Sequence, residues 1–207
     1  NGAIDYFDHM REGELDWHND WETCYDKGYS TELITQEAVR CINTYEKEGP
    51  FLLYVAYNAP HTPLQAQEKD IELYCDDFGS LTPKEQKRVT YQAMVSCMDR
   101  GIGTIVDALK KKGIMDNTFL IFFSEPAVFY WKRAESNYKN LSSQVTGFVD
   151  IVPTLKELVG DKNRPERAYD GISILPLLIG STSCIDRNFY LGCGAVVNKD
   201  YKLIRKG

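Results

Sequence analysis

The sequence of 207 residues lacks three features, and each absence excludes a class of protein. No apolar stretch approaches the roughly 18 residues that a membrane-spanning helix needs, so we expect no membrane span. The formal net charge is −6, which argues against a general nucleic-acid-binding protein, because such proteins carry a basic patch or stripe. The six cysteines show neither a C-x-x-C pair nor a zinc-site spacing. With 43% hydrophobic and 26% charged residues, the composition is that of an ordinary globular protein.

The two ends of the chain leave further questions open. The chain begins Asn1-Gly2, without methionine and without a signal-peptide pattern, so we expect a processed chain or an excerpt of a longer one. Near the other end, Cys184 and Cys193 are close enough in sequence to pair across a turn, and unpaired thiols are the equal alternative. Cys41 and Cys97 fall on apolar helix faces, which predicts buried thiols.

Hydrophobic periodicity and turn residues predict alternating helices and strands. We predict a loop-rich segment over 1–30, a helix over about 31–47, a strand over 51–57, a long helix from the capping box at Thr82 to Gly113, a strand over 118–124, a short helix from Asp150 to about Val159, and a strand pair between Phe189 and Ile204 that turns at Asn198. This alternation predicts an α/β fold with a mostly parallel sheet flanked by helices. Length alone suggests about one domain.

The junction between Tyr57 and the loop Asn58-Ala-Pro-His-Thr-Pro-Leu-Gln65 is the strongest functional signal. The unbroken apolar run over 51–57 predicts a strand that is buried on both faces. His61 follows in a loop that Pro60 and Pro63 stiffen, at the carboxyl end where open α/β sheets bind ligands. His61 is therefore our candidate catalytic residue. The alternative is a loop histidine that bonds only to neighbouring backbone. His9 and His18 have no such context and are expected at the surface.

The run FLLYVAYNAPHTPLQ resembles the histidine loop of the sulfatase family, and other runs continue the resemblance in the family's order. They are GAIDYF at residues 2–7, LDW at 15–17, YQAMVSCMDRGIG at 91–103, GIMDNT at 113–118, DIVPTL at 150–155, Asp170-Gly171 and KDYKLI at 199–204. The chain is thus similar to formylglycine-dependent sulfatases of the arylsulfatase B-like kind. The resemblance implies the alkaline phosphatase-like fold, here in part.

The resemblance also implies a chemistry. Sulfatases use a formylglycine nucleophile that is made from cysteine in a C-x-P/A-x-R motif, and none of the six cysteines stands in that context. The nucleophile segment and the pair of acidic metal ligands that lie upstream in the family are absent from this sequence. His61 matches the family histidine that contacts the sulfate and protonates the leaving group. The implied cofactor is Ca²⁺ or Mg²⁺.

The sequence departs from the family pattern after the strand at 118–124. Sulfatases carry S/T-D-N-G there, whereas this chain has Ser124-Glu-Pro-Ala-Val128. Glu125 falls on the aspartate position and is our candidate metal ligand, with a solvated glutamate as the alternative. Pro126 replaces the asparagine and offers no side-chain ligand. Only 26 positions separate Ser124 from Asp150, too few for the family's lysine-bearing stretch.

These observations predict a partial sulfatase. We expect a partial catalytic domain over 1–180, shortened between 125 and 150, and the start of a C-terminal region over 181–207. The expected activity is hydrolysis of a sulfate ester on a sulfated small molecule or glycan, with this chain inactive alone. The alternative is a degenerate sulfatase-like protein that binds a sulfated glycan or a partner. We expect no nucleic-acid partner, and the family resemblance implies a location outside the cytosol, in lysosome, periplasm or secretions.

Overall fold

The structure is a computed structural model that describes residues 3–46, 48–122, 128–130, 144–163, 165–192 and 194–205, the three residues 128–130 by their backbone. The chain forms two compact units, residues 1–116 and residues 117–207. Within the described ranges, no helix is long and apolar enough to cross a membrane. The predicted regions 1–180 and 181–207 stay a prediction.

The first unit is mainly helical. Its elements are the hairpin strands β1 (Met10–Arg11), β2 (Glu14–Leu15), β3 (His18–Asn19) and β4 (Glu22–Thr23), the helices α1 (Ser30–Thr44), α2 (Glu68–Ile71) and α3 (Pro83–Lys112), and the 3-10 turn Phe78–Ser80; a second 3-10 turn, Met115–Asn117, crosses the boundary between the units. Two short hairpins and connecting loops fill positions 3–29, as the irregular sequence there predicts.

Helix α3 begins and ends where its capping residues predict. The Thr82 hydroxyl accepts the Glu85 N–H, and the Glu85 carboxylate accepts the Thr82 N–H at 2.9 Å, so both partners of the capping box are in place. Pro83 occupies the first turn, where a missing N–H costs nothing. Gly113 ends the helix with φ 71°, a left-handed conformation that favours glycine.

Helix α1 packs against α3 through small residues. Thr31, Thr35, Ala38 and Ile42 are buried at helical spacing along α1. A Cβ atom at Gly101 of α3 would lie only 2.4 Å from the Thr35 Oγ1 atom. Gly101 weakens α3 by its own propensity, but it allows the two helices to approach.

The predicted strand over 51–57 is wrong for this structure. Residues 51–58 form neither helix nor strand, and no strand pairs with them among the described residues. Leu52 is 85% exposed and Tyr54 is 80% exposed, so the run is not buried on both faces. A continuous apolar run specifies a buried strand only where paired strands flank it, and the described part of the chain supplies none.

The second unit contains short strands and helices. They are β5 (Leu120–Phe122), β6 (Val128–Tyr130), the 3-10 turn Phe148–Asp150, α4 (Ile151–Leu158), α5 (Leu175–Leu178), β7 (Phe189–Gly192), β8 (Ala195–Val197) and β9 (Lys202–Ile204). The strand predicted over 118–124 is confirmed at β5, although β5 is only half-buried, and the short helix is confirmed at α4. The predicted strand pair at the end is confirmed with one further strand, because β7, β8 and β9 form an antiparallel meander that turns at Asn198.

The sheets are small and antiparallel. Every strand pair among the described residues is antiparallel, and no described sheet has more than three strands. Helices and strands occur in both units, so the α/β class is confirmed. The mostly parallel arrangement that we predicted is not present in the described part of the chain, because a parallel pair needs a crossover that returns a strand to the same sheet.

Asp150 holds the second unit together from inside. Its side chain is fully buried and makes no cap hydrogen bond to α4. Both oxygens of its carboxylate accept a hydrogen bond from Arg187 Nη1 at 2.7 Å. The carboxylate also accepts the backbone N–H groups of Gly147 at 2.9 Å and Ile172 at 3.0 Å. The turn at Gly171 lies close to the backbone just before Asp150, because a Cβ atom at Gly171 would lie 2.0 Å from the Val149 carbonyl oxygen.

Candidate functional site

The loop that carries His61 lies at the surface of the first unit. His61, Thr62 and Pro63 are exposed, whereas Ala59 before them is buried in the core. The backbone N–H of His61 donates to the Asn58 carbonyl at 3.0 Å, which closes a turn immediately before the imidazole. The predicted loop is thus present, and its histidine is accessible to a ligand.

The His61 ring is oriented by its own loop. Its Nδ1 atom lies 2.7 Å from the Thr62 carbonyl oxygen. A carbonyl can only accept a hydrogen bond, so Nδ1 carries a hydrogen in this arrangement. The other ring nitrogen, Nε2, is then the atom that can bind or exchange a proton with a substrate.

Two buried tyrosines fix the loop from beneath. The Tyr6 hydroxyl donates to the His61 carbonyl at 2.9 Å, and the Tyr29 hydroxyl donates to the Gln65 carbonyl at 2.7 Å. The Gln65 side-chain oxygen accepts the Tyr6 backbone N–H at 2.8 Å. The histidine loop is therefore bonded at positions 61 and 65 to residues far away in sequence.

The same tyrosines belong to the core of the first unit. Tyr6 and Tyr29 stack with ring centroids 5.5 Å apart, and both pack with Ala59, Met94 and Cys97. Burial raises the pKa of Tyr6 to about 12 and also raises the pKa of Tyr29. Both phenols are therefore protonated hydrogen-bond donors at physiological pH.

Asp5 ties the N-terminal segment to the loop. Its carboxylate accepts the Gln65 side-chain amide and the backbone N–H groups of Phe7 and Asp8. Burial alone would raise the pKa of Asp5, but the hydrogen bonds from the Asp8 N–H and the Gln65 amide outweigh burial and lower it. Asp5 is therefore ionised at neutral pH and is a charged acceptor for Gln65.

The chain that leaves the loop is anchored by an ion pair between helices. Asp70 of α2 is buried, and Arg100 of α3 donates to its carboxylate at 2.7 Å. Arg100 and Asp70 thus form an interhelical ion pair. Lys69 and Glu32 form a second bridge at 2.6 Å beside it, which joins α2 to α1. Both ends of the 58–71 segment are thus fixed to the body of the unit.

The described residues do not fit a metal ion. No three His, Cys, Asp or Glu side chains converge within the described ranges, whereas Ca²⁺ requires six to eight oxygen ligands. Glu125, the predicted metal ligand, lies outside the described residues. The donor set on the described part of the chain therefore provides no site through which a metal-dependent step can be derived.

The other two histidines differ from each other. His18 is exposed, as predicted, and lies 3.8 Å from an Asp16 carboxylate oxygen. The surface prediction for His9 is wrong, because its side chain is buried and stacks on Trp17 at 4.4 Å. The His9 Nε2 atom lies 3.2 Å from the Gly28 carbonyl oxygen. Aromatic stacking and this bond replace the hydration that we expected for a loop histidine.

Sequence reasoning missed the residues that brace His61. Tyr6 and Asp5 lie in the GAIDYF run, and Gln65 ends the histidine-loop run, but the sequence does not show that these two runs are in contact. Contacts across 55 to 60 positions leave no periodicity in a single sequence.

The described cysteines are free thiols, at positions 24, 41, 75, 97 and 184. Cys97 is buried as predicted, whereas Cys41 is only half-buried. Cys193 lies outside the described residues.

Comparison with known proteins places the chain in a family. A family model described as Sulfatase matches residues 1–125, which is more than half of the chain. Arylsulfatase J of Mus musculus is 37% identical over 102 residues, which cover 49% of this chain and 16% of that protein. The uncharacterized sulfatase YdeN of Escherichia coli (strain K12) is 28% identical over 184 residues, which cover 73% of this chain and 31% of that protein.

Solved structures agree with the sequence matches. The crystal structure of Ps i-CgsB in complex with k-i-k-neocarrahexaose superposes with a TM-score of 0.77 at 25% identity, and the match covers 96% of this chain and 54% of that chain. The expectation that the chain contains part of the alkaline phosphatase-like fold is thereby confirmed. The chain spans between 16% and 36% of the length of the curated relatives compared with it.

Proposed function

Because the chain belongs to the sulfatase family, we propose that the whole protein hydrolyses sulfate esters and that His61 is a catalytic residue of that reaction. The observation that carries the proposal is the exposed His61 imidazole on a loop that buried residues hold at both ends. Catalysis by a positioned proton donor needs such a loop, since small displacements of a catalytic group reduce the rate strongly.

His61 would protonate the leaving oxygen or contact the sulfate through Nε2. With Nδ1–H bonded to the Thr62 carbonyl, the imidazolium form carries its second hydrogen on Nε2. Donation of this proton to an alkoxide or phenoxide leaving group is the work of a general acid. After transfer, the neutral ring keeps its Nδ1–H bond and its orientation.

The remaining chemistry is assigned by family membership. Sulfatases are generally metal-dependent, and we propose Ca²⁺, or Mg²⁺ in its place, and a formylglycine nucleophile for the whole protein. Glu125 remains our proposed metal ligand because it falls on the family aspartate position. No step is assigned to these groups from the described residues. We propose accordingly that the 207 residues alone do not turn over substrate.

The proposed substrate is a sulfated glycan or a sulfated small molecule. Ps i-CgsB, which is similar over almost the whole chain, was solved in complex with k-i-k-neocarrahexaose, an oligosaccharide. We also propose that the whole protein acts outside the cytosol, in lysosome, periplasm or secretions, which rests on the family alone.

The test is aryl sulfate hydrolysis by the protein encoded in the complete reading frame. We expect 4-nitrophenyl sulfate turnover by the unsubstituted protein and a fall in kcat of about 10²- to 10⁴-fold in His61→Ala, the usual contribution of a general acid. His18→Ala is the matched control, because His18 is an exposed histidine of the same unit. Equal activity of His61→Ala and His18→Ala would contradict the role of His61.

The 207-residue chain alone provides a second control. We expect no hydrolysis above that of its own His61→Ala variant. Measurable turnover by the isolated chain, abolished by His61→Ala, would contradict the claim that this segment is insufficient.

A second function is favoured by the sequence Ser124-Glu-Pro-Ala-Val128. Pro126 removes a side-chain oxygen where sulfatases carry a metal-binding asparagine, so the alternative is a degenerate sulfatase-like protein that binds a sulfated glycan without hydrolysis. Binding of a sulfated oligosaccharide by the whole protein, measured by calorimetry, with no release of sulfate would favour this alternative. A reading frame that contains C-x-P/A-x-R and two upstream acidic ligands would favour the enzyme.

A further inference from the structure

The hydrogen bond from Tyr6 to His61 joins a fully buried aromatic residue to an exposed loop. Tyr6 is 0% exposed, and its hydroxyl reaches a carbonyl 55 positions away at 2.9 Å. A buried hydroxyl without a hydrogen-bond partner would destabilise the fold, so the His61 carbonyl satisfies the Tyr6 hydroxyl while the hydroxyl anchors the loop. The contact is therefore a defined attachment point.

The attachment fixes the peptide plane next to the imidazole. The His61 carbonyl belongs to the peptide between His61 and Thr62, and Tyr6 holds that carbonyl. The following carbonyl, of Thr62, is the acceptor of the Nδ1–H bond at 2.7 Å. The direction of the Thr62 carbonyl depends on the plane before it and on the ring of Pro63 after it. Tyr6 therefore controls the acceptor that selects the Nδ1–H form of the ring.

A second anchor acts at the other end of the loop. The Tyr29 hydroxyl holds the Gln65 carbonyl at 2.7 Å, and the Gln65 side chain bridges the Tyr6 N–H and the Asp5 carboxylate. Stacking of the two phenol rings keeps both hydroxyls at a fixed separation. Residues 61 and 65 are thus held by one rigid aromatic pair rather than by independent contacts.

We propose that Tyr6 is a positioning residue for the His61 imidazole, acting through the loop backbone, with Tyr29 as the second anchor of the same device. The expected effect on catalysis rests on the proposed function. The expected effect on the His61 tautomer does not, and it can be measured in the 207-residue chain. Loss of the Tyr6 hydroxyl frees the peptide plane, weakens the Nδ1–H bond and raises the share of the Nε2–H tautomer.

The direct test is ¹⁵N nuclear magnetic resonance of the imidazoles at a pH where they are neutral. The chain has three histidines, so His61→Ala assigns the His61 signals. We expect the Nδ1–H tautomer to dominate at His61 in the unsubstituted chain. In Tyr6→Phe, the ratio of Nδ1–H to Nε2–H should fall about 2- to 10-fold, the range expected for loss of one ordinary hydrogen bond.

Two comparisons separate positioning from a general loss of structure. Tyr57→Phe is the matched control, because it removes a hydroxyl bonded at 2.8 Å to Thr35 of α1 and not to the histidine loop. The buried His9, stacked on Trp17, reports whether the unit stays folded, so its signals should be unchanged in every variant used. Tyr29→Phe replaces Tyr6→Phe if the latter fails this check, and it should shift the His61 ratio in the same direction.

The kinetic test uses the protein from the complete reading frame. Tyr6→Phe should lower kcat by roughly tenfold with little change in KM, because ring orientation and not substrate contact is altered. The proposal is overturned if the His61 tautomer ratio of Tyr6→Phe equals that of Tyr57→Phe, or if the unsubstituted chain shows no preference for Nδ1–H. A shifted ratio in a protein without sulfatase activity would overturn the proposed function and leave the positioning role supported.

Discussion

The buried pair of Asp150 and Arg187 provides a strong test of how the second unit is stabilised. The substitution Asp150→Asn keeps the size of the side chain but removes its charge. Arg187, which is mostly buried, then loses its charged partner. The new amide keeps one acceptor oxygen, and its NH2 group faces the N–H of either Gly147 or Ile172, donor against donor. Breaking a buried ion pair from one side costs about 3–5 kcal/mol, because a buried charge is left uncompensated.

This cost is large on the scale of the unit. A unit of about 90 residues has a free energy of unfolding of roughly 5–14 kcal/mol at ordinary stability per residue. We therefore expect Asp150→Asn to remove about a fifth or more of it. Hydrogen exchange followed by mass spectrometry is the assay, since peptides from 144–163 and 165–192 should exchange faster while peptides from α3 keep their protection.

Two further variants make the test decisive. Asp107→Asn breaks an exposed ion pair with Lys110 on α3 and should change the free energy of unfolding by less than about 0.5 kcal/mol. The double variant Asp150→Leu with Arg187→Met should be less destabilised than Asp150→Asn, because no charge is left unpaired. A cost below about 1 kcal/mol for Asp150→Asn, or a double variant worse than the single one, would refute the reasoning.

Two remaining predictions concern the core of the first unit. Burial raises the pKa of the Cys97 thiol to about 11, so Cys97 should react with a thiol reagent at pH 8 far more slowly than the exposed Cys184; equal labelling of the two by mass spectrometry would contradict this. The folded-state pKa values of Tyr6 and Cys97 exceed the ordinary values of 10.0 and 9.0, so their contribution to stability is complete below pH 9 and is lost as pH rises from 9 to 12. The free energy of unfolding from urea titrations between pH 8 and 12 should fall over that window, and the fall should be smaller in Tyr6→Phe, by at most on the order of 3 kcal/mol. An unchanged pH slope in Tyr6→Phe would show the assignment to be wrong.

The elements that local chemistry determines could be predicted. The capping box at Thr82 and the glycine at 113 define both ends of α3, because each acts through bonds within one helical turn. The spacing of Ile34, Ala38 and Ile42 likewise identified α1, within three residues of its observed end. Such signals are contained in a short window, so a single sequence is sufficient to show them.

The elements that depend on distant partners could not be predicted. The run over 51–57 has the composition of a buried strand, but burial requires flanking strands that a window of seven residues cannot reveal. The bracing of His61 by Tyr6 depends in the same way on a contact between two separate loops. His61 itself was found because prolines and an apolar run mark it locally. The predicted ligand Glu125 stays a prediction.

The exposed run over 51–57 has a consequence for the chain in solution. It contains seven residues without charge, proline or glycine, and Leu52 and Tyr54 present their side chains to water. Intermolecular cross-β assemblies begin from segments of this composition. The backbone of another chain can bond to the N–H and C=O groups of the run, with which no strand pairs among the described residues. We therefore expect self-association of this polypeptide to depend on its concentration and to start at this run, despite the net charge of −6.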